Sequence, residues 1–307
     1  METLKFTNYQ WLEGTSDKEL LKKQAESKFW DKGKWENYIL PHLPSDVSGM
    51  TYIDMGCNAG LFLQYAEKMG FERSIGADIN PEVIEIGKEH RDKHGFKYEL
   101  IAGKMQDVID KVPVCDYMSF VNSHYYLLVQ EWLDLVAVLR KKARYVIITG
   151  IKKKEYFCMA SGRRPNIMSY FKDWELVKHI PQIEREGDPC PRSLETFCFK
   201  NPDMDRVDIS TLLKGNHVQG RYYEELEMGI SPLKTRYFKM LCKRKRSKPR
   251  EDMISWMYKK VDMYNSVKEN GYREPIIING HNKILDGNHR KEILEYLGFK
   301  TAIIRKV

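Results

Sequence analysis

Two glycine-containing turns, far apart in the chain, carry the residue types that could do chemistry. The first follows a short apolar run and has the sequence Asp54-Met55-Gly56-Cys57-Asn58-Ala59-Gly60. Its glycines allow a tight turn and a close approach of the backbone to a ligand. Asp78 ends the next apolar run, where its carboxylate can accept hydrogen bonds from two ribose hydroxyls. Strand, turn, helix, strand and acid in this order are typical of a nucleotide-type pocket at the carboxyl ends of parallel strands.

The first turn differs from the dinucleotide fingerprint Gly-x-Gly-x-x-Gly. Its form, Asp-x-Gly-x-Asn-x-Gly, resembles motif I of the class I S-adenosylmethionine (SAM) methyltransferases, which implies SAM as the cofactor and a Rossmann-like α/β sheet. Asn58 is tolerated in place of the middle glycine because Asn visits the left-handed region readily, and Cys57 is expected to face the ligand. The alternative is a βαβ turn that binds no cofactor. The residues expected to bind SAM are Asp54, Gly56, Asn58, Gly60, Asp78, Ile79, Gln106, Asp107 and Asn122.

The second turn, Asp286-Gly287-Asn288-His289-Arg290, lies between a short apolar run and a helix predicted over Lys291–Leu297. Backbone N–H groups at a helix start attract anions, and an Arg guanidinium can add a bidentate contact to a phosphate. Together with the flanking runs Pro-Ile-Ile-Ile-Asn-Gly and Leu-Glu-Tyr-Leu-Gly, this turn resembles the ParB/sulfiredoxin-like superfamily. The resemblance implies a site for nucleotide phosphates formed by Gly287, Asn288, His289 and Arg290.

Members of that superfamily include DNA partition proteins that hydrolyse CTP, sulfiredoxins that use ATP, and small-molecule kinases. Asn288 stands at the sulfiredoxin cysteine position, which disfavours sulfinic acid repair. The Asp-Gly-x-His-Arg spelling looks most like the kinase branch, which implies ATP with Mg²⁺ as a second cofactor. Asp286 could then act as a base or hold a metal, and His289 could act as a ligand or as a proton donor. The alternative is a degenerate domain used for packing or dimerisation, which leaves a homo-oligomer open.

The methyl acceptor is expected to bind after the fourth strand, where the chain continues Asn122-Ser123-His124-Tyr125-Tyr126. The prolines of the Asn/Asp-Pro-Pro-Tyr/Phe motif of base N-methyltransferases are absent, which disfavours N-methylation of adenine or cytosine. His124 is a candidate base for a hydroxyl acceptor because imidazole titrates near ~6.5, but it could equally cap the next helix or line the cofactor. Tyr125 is a candidate wall of the acceptor pocket. Adjacent Arg163 and Arg164 suggest a phosphate or carboxylate on the acceptor, and the alternative is an exposed basic loop.

Alternating apolar and polar segments predict the elements that position these residues. Strands are predicted at 51–55, 73–78, 97–102, 115–121, 143–149, 174–180 and 194–199, with helices at 61–69, 82–93 and 129–141. This alternation predicts a parallel sheet, and the last two strands resemble the antiparallel pair that closes a class I methyltransferase sheet. A strand at 206–210, a helical stretch at 222–268 and short strands in the tail predict a smaller α+β domain. The predicted domains are therefore residues 1–200 and 201–307.

An aromatic segment precedes the first strand. Trp35, followed by Leu40-Pro41-His42-Leu43, resembles the entry segment of the methyltransferase subfamily typified by the bacterial enzyme that acts on the wobble uridine of tRNA. Its aromatic residues can staple an N-terminal extension to the core or form a lid over the cofactor. Lys18–Lys28, within that extension, is predicted to be helical.

Composition bounds the class of protein. The chain has 307 residues and is 31% charged, and no apolar run approaches the roughly 20 residues that span a bilayer. The first residues lack the charged and apolar blocks of a signal peptide, so a cytoplasmic protein is expected.

The six cysteines include no Cys-x-x-Cys pair, which favours free thiols and no metal site. Much of the +8 net charge lies in Phe238–Arg250, which contains no acid; this suggests contact with phosphate or, alternatively, a solvated helix face.

These features leave three hypotheses for the function. In the first, a kinase-like C-terminal domain phosphorylates a glycan or small anionic acceptor, and the SAM domain O-methylates the acceptor or its phosphate. Fused kinase–methyltransferases that cap bacterial O-antigen chains follow this logic, although their kinase domain is of the protein-kinase type. In the second, the chain methylates tRNA or DNA, and the ParB-like domain is a binding module. In the third, the chain binds SAM as a sensor or scaffold without catalysis. The two cofactor turns favour the first hypothesis.

Overall fold

The computed structural model describes residues 34–151, 156–158, 162–164, 167–181, 194–213, 220–244 and 249–307. The chain forms two compact units that divide between Pro202 and Asp203. Across the described ranges, no helix is both long enough and apolar enough to cross a lipid bilayer.

Seven strands of the first unit form one sheet. They are β1 Thr51–Met55, β2 Arg73–Asp78, β3 Glu99–Ala102, β4 Cys115–Val121, β5 Ala143–Ile151, β8 Glu175–Ile180 and β9 Leu194–Lys200. Within the described residues their order is β3-β2-β1-β4-β5-β9-β8. Every neighbouring pair is parallel except the two pairs that include β9. The predicted parallel sheet with a closing antiparallel pair is therefore confirmed. A separate hairpin pairs β6, Tyr156–Cys158, with β7, Gly162–Arg164.

Helices connect the strands of this sheet and cover it. They are α1 Leu61–Met69, α2 Pro81–His94, α3 Met105–Val108, α4 Val129–Lys142 and α5 Ile167–Tyr170. Consecutive residues of β1 pack in different hydrophobic clusters, Tyr52 in one and Ile53 in the other. Side chains of a strand alternate between the two faces of a sheet, so both faces are covered, as is usual for parallel sheets. The sheet core thereby fixes the positions of the strand ends, where the predicted site residues lie.

The segment before β1 is stapled to the core. Residues Trp35–Ile39 form a π-helical turn and Leu40–His42 a 3-10 turn. The buried Trp35 ring lies 5.8 Å from the Tyr52 ring and 5.9 Å from the Phe62 ring, measured between centroids. For these residues the stapling interpretation is confirmed. The predicted helix at Lys18–Lys28 lies outside the described residues.

The second unit is built on a four-stranded sheet with helices. Its strands are β10 Met204–Asp208, β11 Ile276–Ile278, β12 Ile284–Asp286 and β13 Thr301–Lys306. Its helices are α6 Gly220–Glu227, α7 Arg236–Arg244, α8 Arg250–Asn270 and α9 Asn288–Tyr296. Within the described residues the strand order is β10-β13-β11-β12; β11 and β13 run parallel, and the other neighbours run antiparallel.

Two predicted boundaries in the second unit were wrong. The strand predicted at 206–210 runs from Met204 to Asp208, because the Asp208 carboxylate accepts a hydrogen bond from the Ser210 N–H (2.8 Å) and starts a 3-10 turn. The helix predicted at Lys291 begins at Asn288. The residues after Gly287 therefore form the first turn of α9 rather than a loop before it.

Candidate active site

The loop between β1 and α1 is built from three left-handed residues. The φ angles are 88° at Gly56, 53° at Asn58 and 93° at Gly60, so the expectation that Asn58 adopts this conformation is confirmed. A Cβ added to Gly56 would lie 2.5 Å from the Ser123 Cβ, in the loop after β4. The Ser123 hydroxyl donates a hydrogen bond to the Met55 carbonyl (2.6 Å), which fixes that neighbour in place. Glycine at position 56 is thus required both by the backbone conformation and by the close approach of the two loops.

Asp78 connects the loops that follow β1 and β2. Its Oδ2 accepts from the Asn58 N–H and its Oδ1 from the Asn80 N–H, both at 2.9 Å. A carboxylate oxygen has two lone pairs, so each oxygen can accept a further hydrogen bond. The carboxylate is half-buried. It is oriented by the backbone and keeps acceptor capacity, which fits recognition of ribose hydroxyls.

Asp54 is a buried acid with an unused acceptor atom. Its side chain is 1% exposed, and its Oδ1 accepts from the Ser119 hydroxyl (2.6 Å), which also bonds the Tyr52 hydroxyl (2.7 Å). Its Oδ2 is buried and has no hydrogen-bond partner among the described residues. Burial, opposed by the Ser119 hydrogen bond and reinforced by Asp78, raises the pKa of Asp54 to about 7. An unsatisfied buried carboxylate oxygen is costly and fits a ligand that brings a donor or positive charge, as the ammonium and sulfonium groups of SAM do.

The other residues predicted to bind SAM lie at the ends of neighbouring strands. Ile79 follows β2 and is exposed, whereas Gln106 on α3 is half-buried and Asp107 on the same helix is exposed. Asn122 follows β4 with φ 55°, and its Oδ1 is buried without a partner among the described residues. Since β3, β2, β1 and β4 are adjacent and parallel, their carboxyl ends share one edge of the sheet. The predicted residues therefore gather at this edge.

The expectation that Cys57 faces the ligand was wrong. Its side chain is fully buried and belongs to a hydrophobic cluster of the core. A Cβ added to Gly76 on β2 would lie 2.6 Å from the Cys57 sulfur. The thiol therefore occupies space that the missing side chain of Gly76 leaves open. Burial raises the pKa of this thiol well above its usual range, which keeps it neutral.

Sequence reasoning missed Ser119, which orients Asp54. The register of β1 and β4 places Asp54 opposite Ser119. The signal was available: Ser119 is a small polar residue within the apolar strand Cys115–Val121. A buried polar residue needs a hydrogen-bond partner, and the neighbouring strand offered a buried acid.

The residues predicted to meet the acceptor are only partly described. The His124 ring is 3% exposed, and its centroid lies 5.9 Å from that of Trp132 on α4. To act as a base, it would need the acceptor to enter beside Trp132; its role stays a prediction. The side chains of Tyr125, Arg163 and Arg164 lie outside the described part of the chain.

The second glycine turn joins β12 to α9. Gly287 has a φ of 96°, and a Cβ there would lie 3.0 Å from Arg290 Nε and 3.1 Å from the Ile276 Cα. Its N–H donates to Asp286 Oδ1 at 2.8 Å. Glycine is therefore required at this turn, where a Cβ would collide with the Arg290 guanidinium and the backbone of β11.

Arg290 is paired with acids, and one of its nitrogens is unsatisfied. Its Nη2 donates to Asp286 (2.7 Å) and its Nη1 to Glu274 (2.9 Å), whose side chains are 65% and 73% exposed. Ion pairs with partners this exposed contribute little stability and exchange readily. The Arg290 Nε is buried without a hydrogen-bond partner among the described residues. This unsatisfied donor fits an anionic ligand, although Asp286 is engaged by Arg290 rather than free to act as a base.

The sheet order, its antiparallel strand β9 and the polar strand ends define the first unit as a Rossmann-like α/β fold of the SAM-dependent methyltransferase class. A family model described as "Methyltransferase domain" matches residues 46–220, more than half of the chain. The chain belongs to this family. Membership implies SAM as the methyl donor, and the unsatisfied oxygen of Asp54 and the oriented carboxylate of Asp78 fit that cofactor.

Known proteins resemble parts of the chain. The ribosomal protein L11 methyltransferase of Tolumonas auensis is 38% identical over 141 residues, which cover 46% of this chain and 44% of that protein. Protein arginine N-methyltransferase 1 of Saccharomyces cerevisiae is 32% identical over 101 residues, which cover 32% of this chain and 28% of that protein. Among solved structures, the bifunctional kinase-methyltransferase WbdD has a TM-score of 0.49 and 16% identity, with 69% of this chain and 46% of that chain covered. The chain thus spans less than half the length of each of these proteins.

Proposed function

We propose that the chain is a bifunctional enzyme that O-methylates an acceptor with SAM and phosphorylates the same acceptor with a nucleotide. The acceptor is a glycan or a small anionic molecule. One observation carries the proposal: each unit has a left-handed glycine turn beside a buried, unsatisfied polar atom of opposite type. Asp54 Oδ2 in the first unit is an acceptor, and Arg290 Nε in the second is a donor. The first suits a cationic methyl donor and the second an anionic phosphate.

For methyl transfer, the protein mainly has to align the acceptor atom with the methyl group and the sulfur of SAM. SAM supplies an electrophilic methyl group on a sulfonium with a good leaving group. The residues of this chain bind and orient the cofactor: Asp78 accepts from the ribose, and Asp54 accepts from the cationic part. A hydroxyl acceptor also has to lose a proton, for which His124 is the candidate base. The absent prolines after Asn122 support oxygen rather than a base nitrogen as the methylated atom.

The second unit is proposed to bind ATP with Mg²⁺ at Gly287–Arg290. The N–H groups at the start of α9 and the Arg290 guanidinium support a phosphate site. The likeness of the turn to the kinase branch of the ParB/sulfiredoxin-like superfamily supports phosphoryl transfer. In this assignment an incoming phosphate replaces the exposed carboxylates of Asp286 and Glu274 on Arg290.

Binding and label transfer test the proposal together. Calorimetry should show one SAM site that Asp78→Ala weakens and one ATP site that Arg290→Ala weakens, each variant leaving the other ligand unaffected. Methyl-labelled SAM and γ-labelled ATP are then offered to a panel of glycans, small anionic molecules, tRNA and proteins. The protein acceptors are included because both curated relatives are named for them. Transfer of both labels to one acceptor is the predicted result. If ATP binds while no acceptor takes phosphate, the kinase assignment is wrong.

A nucleic-acid methyltransferase is the second candidate, and helix α7 favours it. Arg236, Lys239 and Lys243 are exposed on α7, whereas Phe238 and Leu241 are buried. Spacings of three and four place the basic residues on one helix face. This face suits binding to a row of phosphates. The resemblance of the entry segment to the subfamily that acts on the wobble uridine of tRNA points to RNA as the ligand. Lys245, Arg246 and Lys248, which continue the run, lie outside the described residues.

Salt dependence separates the two candidates. A chain that binds nucleic acid through this face should lose affinity steeply as salt rises, because each phosphate contact releases counterions. Changing Arg236, Lys239 and Lys243 to Gln should flatten that dependence, while changing Lys88 and Lys93 on α2 to Gln should not. A flat salt response of the wild-type protein would remove this candidate.

A further inference from the structure

Lys260 is a buried lysine in the middle of α8. The residue is 3% exposed, and its Nζ has no hydrogen-bond partner among the described residues. Its Nζ lies 3.9 Å from Glu292 Oε2 on α9. Burial, opposed by Glu292, lowers the pKa of Lys260 to about 8. An ammonium placed here is costly, since buried charges need close pairing and hydrogen bonds.

Aromatic rings surround this ammonium. Its Nζ lies 4.6 Å from the centroid of Tyr237, 5.2 Å from Tyr222, and 5.5 Å from both Tyr223 and Trp256. Cation–π attraction at these distances offsets part of the desolvation cost. It does not replace hydrogen bonds to the three N–H donors of the ammonium. A methionine would fill a similar volume without a charge, so stability alone does not explain a lysine at this position.

The same carboxylate reaches the second glycine turn. Glu292 Oε2 lies 3.4 Å from His289 Nδ1, one helical turn away on α9. The His289 ring also packs against Trp256, with 5.6 Å between centroids. Lys260, Glu292 and His289 therefore form a row that leads from the buried interior to the half-buried histidine of the turn.

We infer that Glu292 and Lys260 are positioning residues that hold His289 in a single tautomer. In this tautomer Nδ1–H donates to Glu292, and Nε2 keeps the lone pair that can accept a proton. The buried ammonium of Lys260, 3.9 Å from Glu292 Oε2, holds that carboxylate directed toward the imidazole. The inference rests on the proposed function, in which a nucleotide binds at Gly287–Arg290.

The row gives His289 a defined task in phosphoryl transfer. The acceptor oxygen bonds to the terminal phosphorus of the nucleoside triphosphate. The bond from that phosphorus to the bridging oxygen breaks, and its electron pair leaves on the nucleoside diphosphate. The proton of the acceptor hydroxyl passes to His289 Nε2, which Glu292 has oriented as a base.

The tautomer can be measured directly in the full-length chain. With ¹⁵N-labelled histidine at pH 7.5, where Lys260 is still mostly protonated, the long-range ¹H–¹⁵N spectrum reports which ring nitrogen carries the proton, and His289→Gln assigns the signal. We expect Nδ1–H in the wild-type protein and a shift toward Nε2–H in Glu292→Gln and Lys260→Met. Lys291→Met is the matched control. Lys291 on α9 is also a buried lysine, but its Nζ pairs with Glu295 at 2.7 Å and not with Glu292. A wild-type Nε2–H tautomer, or one unchanged in both variants, would overturn the inference.

A second readout separates this inference from the proposed function. If ATP binds the wild-type protein, Lys260→Met and Glu292→Gln should keep its affinity while slowing phosphoryl transfer at least about tenfold, as loss of an oriented base does. An equal loss of ATP affinity and transfer would mean that the residues are merely structural and would overturn the inference. If ATP does not bind the wild-type protein at all, the proposed function fails, while the tautomer measurement still decides the role of Glu292 and Lys260.

Discussion

The two glycine turns differ in what holds their polar groups. At the first turn, backbone N–H groups of Asn58 and Asn80 fix the Asp78 carboxylate. At the second, the Arg290 guanidinium is held by exposed carboxylates of side chains. Backbone donors keep their geometry when a ligand binds, whereas exposed ion pairs exchange readily. The first turn is therefore preformed, whereas the second would have to rearrange around the anion that the proposed function places there.

The buried charged groups of the two units show the same contrast. Asp54 and Lys260 are both almost fully buried. Burial raises the pKa of Asp54 to about 7 and lowers the pKa of Lys260 to about 8. Asp54 lies at the edge of its sheet, where a ligand can satisfy its free oxygen. Lys260 lies among aromatic rings, where its contacts are with Glu292 and the ring faces. In the proposed function, Asp54 therefore contacts the ligand directly, whereas Lys260 acts through Glu292.

Substitution of Gly56 should have the largest effect, because the first turn cannot rearrange. In Gly56→Ala, left-handed strain and the contact with Ser123 together cost at least about 3 kcal/mol, so calorimetry should show SAM affinity reduced on the order of 100-fold or more. Gly70→Ala is the control: Gly70 also has positive φ, 106°, but a Cβ there meets no atom within 4 Å. Similar SAM affinities in the two variants would contradict the preformed turn.

Lys260 should make the stability of the second unit depend on pH. Below pH 8 the lysine is charged in both states, and the folded state bears the full cost of burial. As pH rises from 8 toward 10.5, the folded state loses its proton first, so the free energy of unfolding increases. The increase should be about 1–2 kcal/mol between pH 8 and 9.5.

Urea unfolding of the wild-type chain and Lys260→Met measures this effect. The variant should lack the increase and should be more stable at pH 7. The range stops below pH 10 because Tyr222 and Tyr223, which face Lys260 together with Tyr237 and Glu292, have pKa values raised by burial. Once tyrosines of the unfolded chain ionise, Tyr222 and Tyr223 lower the free energy of unfolding as pH rises, which opposes the effect of Lys260. Parallel curves for the two proteins from pH 8 to 9.5 would show that Lys260 does not titrate in this range.

SAM affinity should depend on the ionisation of Asp54. The cationic cofactor favours the carboxylate, whose pKa in the free protein is about 7 because of burial. Above pH 7 no proton has to be lost on binding; below it, affinity should fall by up to about tenfold per pH unit. Calorimetry between pH 5.5 and 8 tests this, with Asp54→Asn as the variant that should show weak binding without the pH dependence. A flat wild-type profile would place the positive charge of the cofactor elsewhere.

The smallest effect is expected for the exchangeable pairs of the second turn. Glu274→Gln should change the free energy of unfolding by less than about 1 kcal/mol, since its carboxylate is exposed. It should raise ATP affinity severalfold, because one competitor for Arg290 is removed. Glu251→Gln, an exposed acid at the start of α8, is the control. Weaker ATP binding in Glu274→Gln would mean that Glu274 orients Arg290 for the ligand.

Local sequence signals predicted most of the first unit. The strands Thr51–Met55, Arg73–Asp78 and Cys115–Val121 matched their predicted bounds because each is a short apolar run that ends at a glycine or polar residue. The same signals placed the candidate cofactor residues together, since parallel strands bring their carboxyl ends to one edge; that these residues bind SAM stays a prediction. The prediction that Cys57 faces the ligand failed because its orientation depends on the space beside Gly76, a contact between strands.

The relations that depend on distant residues were not predicted. Lys260 and Glu292 are far apart in sequence, and nothing in the local pattern of α8 marks one lysine as buried. The pairing of Arg290 with Glu274 was missed for the same reason. In the second unit, the strand predicted at 206–210 ended two residues earlier, because the side chain of Asp208 caps the 3-10 turn that follows it.

The central claim is that one chain carries two cofactor sites of opposite charge preference. Calorimetry of a single sample, first with SAM and then with ATP and Mg²⁺, tests it most directly. Two one-to-one binding events are predicted, with Asp78→Ala weakening only the first and Arg290→Ala only the second. Absence of the ATP event in the wild-type chain, or loss of both events in either variant, would contradict the claim.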